Sequence, residues 1–175
     1  MQTSDSLTIC DAQIDDLSGL LDIYNDVIAT STAVYSDRPV TLEERIGWWR
    51  TRTAAGYPVL VARDAAGIAG FSTFGDFRTW PGYCYTVEHT VHVRADCRGR
   101  GIGRTLLEAL FPRAAALGKH VMIAGIDAAN EASIRFHARL GFVQSAHLRE
   151  VGFKFERWLD LVLMQRWIEH DGKPH

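Results

Sequence analysis

Apolar and polar positions alternate over Leu7-Thr8-Ile9-Cys10-Asp11, which predicts a first strand. Asp15 and Asp16 then suit a helix start, and Leu17, Leu20, Leu21, Tyr24 and Ile28 recur at the spacing of one helix face. A polar loop from Thr30 to Pro39 carries one aromatic, Tyr35. Thr41, with Glu44 three residues on, reads as a capping box for a second helix through Trp48 and Trp49, stopped by Gly56 and Pro58. Val59 to Ala62 is a short apolar strand, Asp64 to Gly67 a turn, and Ile68 to Phe74 a returning strand rich in β-formers. The loop Gly75 to Gly82 leads into a further strand from Tyr83 to Val93.

Beyond a glycine-rich turn, Ile102, Leu106, Leu107, Leu110, Ala114 and Leu117 predict an amphipathic helix ending near Gly118, with Pro112 expected to kink or fray it. Val121 to Ala124 reads as a buried strand. Asn130 opens a short helix that carries Ile134, Phe136, His137 and Leu140 to a C-cap at Gly141. Two strand-like runs, Phe142 to Val151 and Trp158 to Met164, and a frayed tail to His175 close the chain. A strand hairpin, a strand-helix-strand unit and a terminal strand pair predict an α/β (α+β) fold with a mixed sheet. The hairpin from Val59 to Phe74 argues against a purely alternating Rossmann pattern. No repeat, low-complexity tract or linker interrupts the run, so residues 1–175 read as one domain.

Composition narrows the classes. With 47% hydrophobic and 23% charged residues the chain is ordinary globular material, and a net charge of -2 argues against nucleic acid as a partner. The arginines at 98, 100 and 104 therefore mark something more local than bulk charge. Cys10, Cys84 and Cys97 are odd in number and lack CxxC spacing, which suggests neither a disulfide framework nor a zinc site and points to a reducing compartment. His89 and His92 lie three apart on a strand and so face opposite sides; no metal site is expected. Met1 to Ser6 has no signal-peptide pattern and no apolar run approaches ~18 residues, so the expectation is a cytoplasmic protein with no membrane partner.

The candidate chemistry starts at Arg98-Gly99-Arg100-Gly101-Ile102-Gly103-Arg104, between the strand that ends at Val93 and the helix that begins at Ile102. Strand, glycine turn and helix start form an anion site: free N–H groups and the positive end of the helix dipole favour phosphate, and glycine admits a close backbone approach. The string is not a Walker A loop, and its glycine spacing is wrong for a dinucleotide fingerprint. The remaining pattern, Arg-x-x-Gly-x-Gly after a strand, resembles the coenzyme A pyrophosphate loop of the GCN5-related N-acetyltransferase (GNAT) family. About 30 residues on, Asn130 to Phe142 resembles the family segment Asn-x-x-Ala/Ser-x-x-x-Tyr-x-x-x-Gly-Phe, with His137 in place of the tyrosine. Tyr85 to Val93, Gly152 to Asp160, Met164-Gln165 and Ile23-Tyr24-Asn25-Asp26 are similar to the phosphinothricin and methionine sulfoximine acetyltransferase subgroup, which itself tends to carry that histidine. The resemblance spans about residues 7 to 168.

What the resemblance implies is a sheet of about seven strands, splayed between the fourth and fifth and flanked by helices. It implies acetyl-CoA as cosubstrate and direct transfer to the α-amino group of a small amino-acid-like acceptor, without a metal, in a homodimer. Cofactor contacts are then expected from Val91, His92 and Val93, from Arg98, Gly99, Arg100, Gly101, Ile102, Gly103 and Arg104, and from Asn130 and Ser133. An α-amino group with a pKa near ~8 must lose a proton, and Glu88, where the family places its carboxylate, is the candidate base. His137 titrates near working pH and is the candidate acid for the leaving thiolate. For the acceptor, Arg78 offers a planar fork for a carboxylate or phosphinate. Tyr35, Phe77, Thr79 and Trp80 are candidate walls, with His89 and Thr90 beside Glu88. Lys154 adds a second positive charge, in its own subunit or across a dimer interface. Rival readings are acetylation of protein N-termini, polyamines or aminoglycosides, the last two of which need an acidic acceptor pocket, and a coenzyme A-binding module without turnover.

Overall fold

A computed structural model describes residues 7–169; the expectations for Met1 to Ser6 and for the end of the tail beyond Glu169 lie outside the described residues, while the tail's first residues, Gln165 to Trp167, continue the last strand instead of fraying. Among the described residues, seven strands form one sheet in the order β1-β2-β3-β4-β5-β7-β6: β1 Thr8–Asp11, β2 Val59–Asp64, β3 Gly67–Asp76, β4 Thr86–Val93, β5 Val121–Asp127, β6 Val143–Lys154 and β7 Arg157–Trp167. The helices are α1 Leu17–Thr30, α2 Leu42–Ala54, α3 Ile102–Ala116 and α4 Glu131–Arg139. β4 and β5 run parallel, whereas β1–β2, β2–β3, β5–β7 and β6–β7 are antiparallel. The mixed α/β sheet expected from the hydrophobic pattern is the one present. No helix among the described residues is long and apolar enough to cross a membrane.

The chain gathers into two compact units, each made of segments that are discontinuous in sequence. The first takes residues up to Asp26, Val40–Phe74 and Thr90–Leu110. Its core joins Leu17, Leu20 and Ile23 on the apolar stripe of α1 to Val59, Val61 and Phe71, all at most 4% exposed. Burying each such side chain contributes about 1.5–3 kcal/mol. The capping box is present: the Glu44 amide donates to Thr41 Oγ1 at 3.2 Å and the Thr41 amide to Glu44 Oε2 at 2.8 Å. Asn25 fixes the approach to α2 by bonding both the N–H and the C=O of Val40 at 2.9 Å. The Arg45 guanidinium, buried on α2, lies 3.8 Å from the centre of the Tyr24 ring.

The second unit takes Val27–Pro39, Gly75–His89 and the residues from Phe111 onward. β5 and β7 pair from Val121↔Trp167 to Asp127↔Leu161, and β6 returns against β7 through Lys154↔Arg157. That hairpin turns on Phe155 and Glu156, at φ 51° and 57°. Left-handed backbone at both positions is the demand of the tight hairpin turn usually met by Asn-Gly. Short side chains are absent here, so the turn left no mark in the sequence pattern.

Three expectations change. α3 continues through Pro112 to Ala116 instead of fraying, because the face carrying Leu106, Leu107, Leu110 and Ala114 is wholly buried and outweighs the roughly 3 kcal/mol cost of an interior proline. β4 starts at Thr86, since Pro81–Tyr83 form a 3₁₀ turn with proline at its start. β5 does not stop at Ala124 but runs on through Gly125 to Asp127.

Candidate active site

In the first unit, β4 leads to the glycine loop. Gly99 and Gly101 hold φ of 76° and 80°, a region that side-chain-bearing residues rarely adopt, so this loop path needs glycine at both. α3 begins at Ile102, where the first turn's N–H groups lack helical partners and attract an anion. The arginines brace the loop. Arg100 Nη1 lies 3.5 Å from Asp64 Oδ2, Arg104 pairs with Glu108 on its own helix at 2.9 Å, and Arg98 Nε reaches the Val93 carbonyl at 3.4 Å.

Backbone direction along β4 separates the three residues expected to hold the cofactor. The Arg94 amide donates to the Ala69 carbonyl of β3 at 2.8 Å. The His92 carbonyl also faces β3, close enough that a Cβ on Gly70 would meet it at 2.8 Å. Strand alternation then turns the amides of Val91 and Val93 away from β3. His92 is a correction: its backbone is committed to β3, and its ring packs edge-on to Tyr24 and Phe71. Burial first, then the charges of Arg45 and Arg98, push its pKa down to about 4, so it is neutral at neutral pH.

In the second unit, the β4–β5 ladder is three residues long and ends at Glu88↔Ile123. The Glu88 carboxylate lies over Gly125, where a Cβ would sit 2.9 Å from Oε1. Although Glu88 is an exposed residue of β4, the atoms packed around its carboxylate raise its pKa from the ordinary value, and the positive charge of Arg78 acts in the opposite sense. Arg78 leaves the β3–β4 loop with its guanidinium carbon 5.0 Å from the Phe77 ring centre. A carboxylate able to accept a proton thus stands within the field of a cation able to pair with an anion.

His137, the candidate acid, is 4% exposed. Its Nδ1 lies 2.7 Å from the Ser133 carbonyl; an oxygen there only accepts, so Nδ1 carries the hydrogen. Nε2 is then the acceptor, 3.2 Å from His89 Nε2, which donates. Burial lowers the His137 pKa, with the Ser133 carbonyl opposing. An enclosed ring whose two nitrogens are engaged by the Ser133 carbonyl and His89 offers no free N–H to a leaving thiolate, which speaks against the acid role. His89 is likewise 8% exposed and packs on His137 and Phe142, so its ring does not face an acceptor. Asn130 is the N-cap of α4; its Oδ1 accepts the Ser133 amide at 3.1 Å, which leaves the amide NH₂ as a donor.

The profile of the Acetyltransferase (GNAT) family matches residues 20–142, more than half of the chain. The chain belongs to the GNAT acetyltransferase family. It is 51% identical over 161 residues to an L-methionine sulfoximine/L-methionine sulfone acetyltransferase of Pseudomonas aeruginosa, covering 91% of this chain and 94% of that protein. It is 43% identical over 159 residues to an L-amino acid N-acyltransferase of Escherichia coli, covering 91% and 92%. A phosphinothricin acetyltransferase from Sinorhizobium meliloti, crystallised in complex with acetyl-CoA, superposes with a TM-score of 0.90 at 35% identity, over 96% of this chain and 92% of that one.

Within this GNAT acetyltransferase the remaining expected residues divide. Lys154 is a correction: it is fully buried, and its Nζ donates to the carbonyls of Ile28, Ser31 and Val34 at 2.6, 2.7 and 2.9 Å. A cation at the end of α1 satisfies terminal carbonyls and complements the helix dipole, so Lys154 fastens a helix and is not a free charge for an acceptor. Tyr35 is pinned by a bond from its hydroxyl to the Asp160 carbonyl at 3.2 Å and by contact with Gly152. Trp80 is 74% exposed and Thr79 is exposed; Phe77 is half-buried against Tyr83. Thr90 is half-buried on β4.

Some residues escaped the sequence reading. Thr32 donates its hydroxyl to Asp127, which also accepts the Ala129 amide at 3.0 Å. Both line a cavity of about 430 Å³ together with Asn130, Phe155 and Arg157. No local signal marks them, because the loop after α1 and the end of β5 are far apart in sequence. Gly125 did leave one: a lone glycine in a run of β-formers marks a close approach.

Proposed function

We propose that this protein is an acetyl-CoA-dependent N-acetyltransferase of the α-amino group of small amino-acid-like substrates, of the methionine sulfoximine, methionine sulfone or phosphinothricin type. The observation that carries the reading is the 51% identity over nearly the whole chain to a methionine sulfoximine/methionine sulfone acetyltransferase, and the Glu88 carboxylate with the Arg78 charge acting on it fits that chemistry. An α-amino acid presents an ammonium and an anion a few bonds apart, and this pair answers both. Glu88 takes a proton from the ammonium, directly or through water, and Arg78 holds the anion. A polyamine or aminoglycoside lacks that anion and would meet repulsion from Arg78.

The residues suit acetyl-CoA. Gly99 to Arg104 and the first turn of α3 offer backbone donors for its pyrophosphate, and the Val91 and Val93 amides, turned away from β3, are free in direction to hold its acyl arm. When bound, acetyl-CoA supplies the acetyl group as a thioester. Free thiols at Cys10, Cys84 and Cys97 fit the reducing cytoplasm.

Arg78→Ala is expected to weaken binding of carboxylate- or phosphinate-bearing amines roughly ten- to a hundredfold, the scale of a charged hydrogen bond worth about 1.5–3 kcal/mol. The KM for acetyl-CoA should not move. The amide of the same amine should be nearly indifferent to the mutation; equal losses for both acceptors would make Arg78 structural.

The protein is further proposed to work as a homodimer. β6 is an edge strand, and Leu148, Val151 and Phe153 on it, with Trp158 on β7, are 41 to 64% exposed, an apolar surface that a second copy would cover. Sedimentation at micromolar concentration should give twice the chain mass, and Trp158→Glu should shift it to monomer. A monomeric wild-type protein would contradict the proposal.

A further inference from the structure

Gly125 occupies the interior of β5, a position where glycine weakens a strand. Its φ is not in the left-handed region, so backbone geometry does not demand glycine there. Added carbon at this position would meet Leu161 Cδ1 at 3.5 Å and Leu163 Cδ2 at 3.9 Å, both ordinary contacts, but Glu88 Oε1 at 2.9 Å. Glu88 pairs with Ile123, so its side chain leans one step along β5 to reach Gly125. We infer that Gly125 is a positioning residue: its missing Cβ is the space in which the Glu88 carboxylate lies, and any larger residue drives that carboxylate off β5. The inference rests on the reading that Glu88 is the base.

The crowded atom is the far end of a flexible side chain, so relief is cheap for the fold. Alanine at 125 leaves the strand intact and swings the carboxylate out. The charge acting on Glu88 is that of Arg78 from the β3–β4 loop; Asp127 lies one pleat repeat from Gly125 on the same face of β5, and Leu161 and Leu163 of β7 flank Gly125. A carboxylate leaving its crowded position loses the desolvation that raises its pKa.

Gly125→Ala is expected to melt at or above the wild-type temperature while kcat/KM for the amine falls roughly 10- to 100-fold, the cost of misplacing a reacting group by about an ångström. The KM for acetyl-CoA should hold, and the acid limb of the pH profile should move toward the ordinary carboxylate range. In a Glu88→Asp background, where the carboxylate no longer reaches residue 125, the same alanine should cost little. Wild-type kinetics in Gly125→Ala, or an equal loss in the Glu88→Asp background, would overturn the inference. Should Gly125→Ala fail to fold, Gly125→Ala/Glu88→Ala must fold, because the clash is gone; failure of both would also overturn it. Glu88→Gln run alongside separates the two claims: wild-type rates there remove the base, whereas a slow Glu88→Gln beside a silent Gly125→Ala removes only the role of Gly125.

Discussion

Glu88→Gln should lower kcat/KM by roughly 10²-fold or more near neutral pH, the usual scale for loss of a general base. Glutamine keeps the length of the side chain but cannot take a proton from the acceptor ammonium. The wild-type profile carries the second part of the expectation. Crowding raises the Glu88 pKa more than Arg78 lowers it, so the protonated, inactive form persists to higher pH than for an ordinary carboxylate. Activity of the wild-type enzyme therefore falls as pH drops through that raised pKa, and the limb should vanish in Glu88→Gln. At alkaline pH, where the amine sheds its own proton, the mutant should recover part of the deficit. Rates measured from pH 5 to 10 on both proteins decide it: wild-type rates for the mutant at pH 7, or an unchanged acid limb, would exclude Glu88 as the base.

Lys154→Met should destabilise the fold by about 3–5 kcal/mol, since three backbone carbonyls lose one charged donor and each buried acceptor left unmet costs about 1–3 kcal/mol. At this chain length that corresponds to a fall in Tm of roughly 6–20 °C. The end of α1 and the loop to Val34 should loosen first, because Ile28, Ser31 and Val34 supply the bonded carbonyls. Arginine should not rescue, as its planar fork cannot fill the compact three-carbonyl site of an ammonium. Thermal melts and urea titrations measure the loss. Unchanged stability together with weaker binding of anionic acceptors would restore Lys154 to the substrate.

The legible parts of this protein are those whose physics is local. The helix face of Leu17, Leu20 and Tyr24, the Thr41–Glu44 box and the strand-glycine-helix loop each depend on neighbours within a few residues, and each is present in the structure. The Asn130 segment is legible for the same reason, since an N-cap and its helix are contiguous. Lys154 is not: residue type says solvent, and only the fold brings it to carbonyls more than a hundred positions earlier. His137 reads as a free titrating group until His89 and the Ser133 carbonyl occupy its two nitrogens. The Phe155–Glu156 turn lacks the usual turn residues, and Pro112 carries a local warning that the buried face of α3 overrides. The alternation from Thr86 to Val93 puts Glu88 on its strand, but its contact with Gly125 depends on strand pairing that no stretch of sequence encodes.

The most direct test of the central claim is acetyl-CoA-dependent thiol release with L-methionine sulfoximine, L-methionine sulfone and phosphinothricin, each compared with its N-blocked form. The account predicts one thiol released per acetylated amine with the free amino acids, and only background release with the blocked ones. Release that is absent with every free amine, or equal for free and blocked forms, would contradict it.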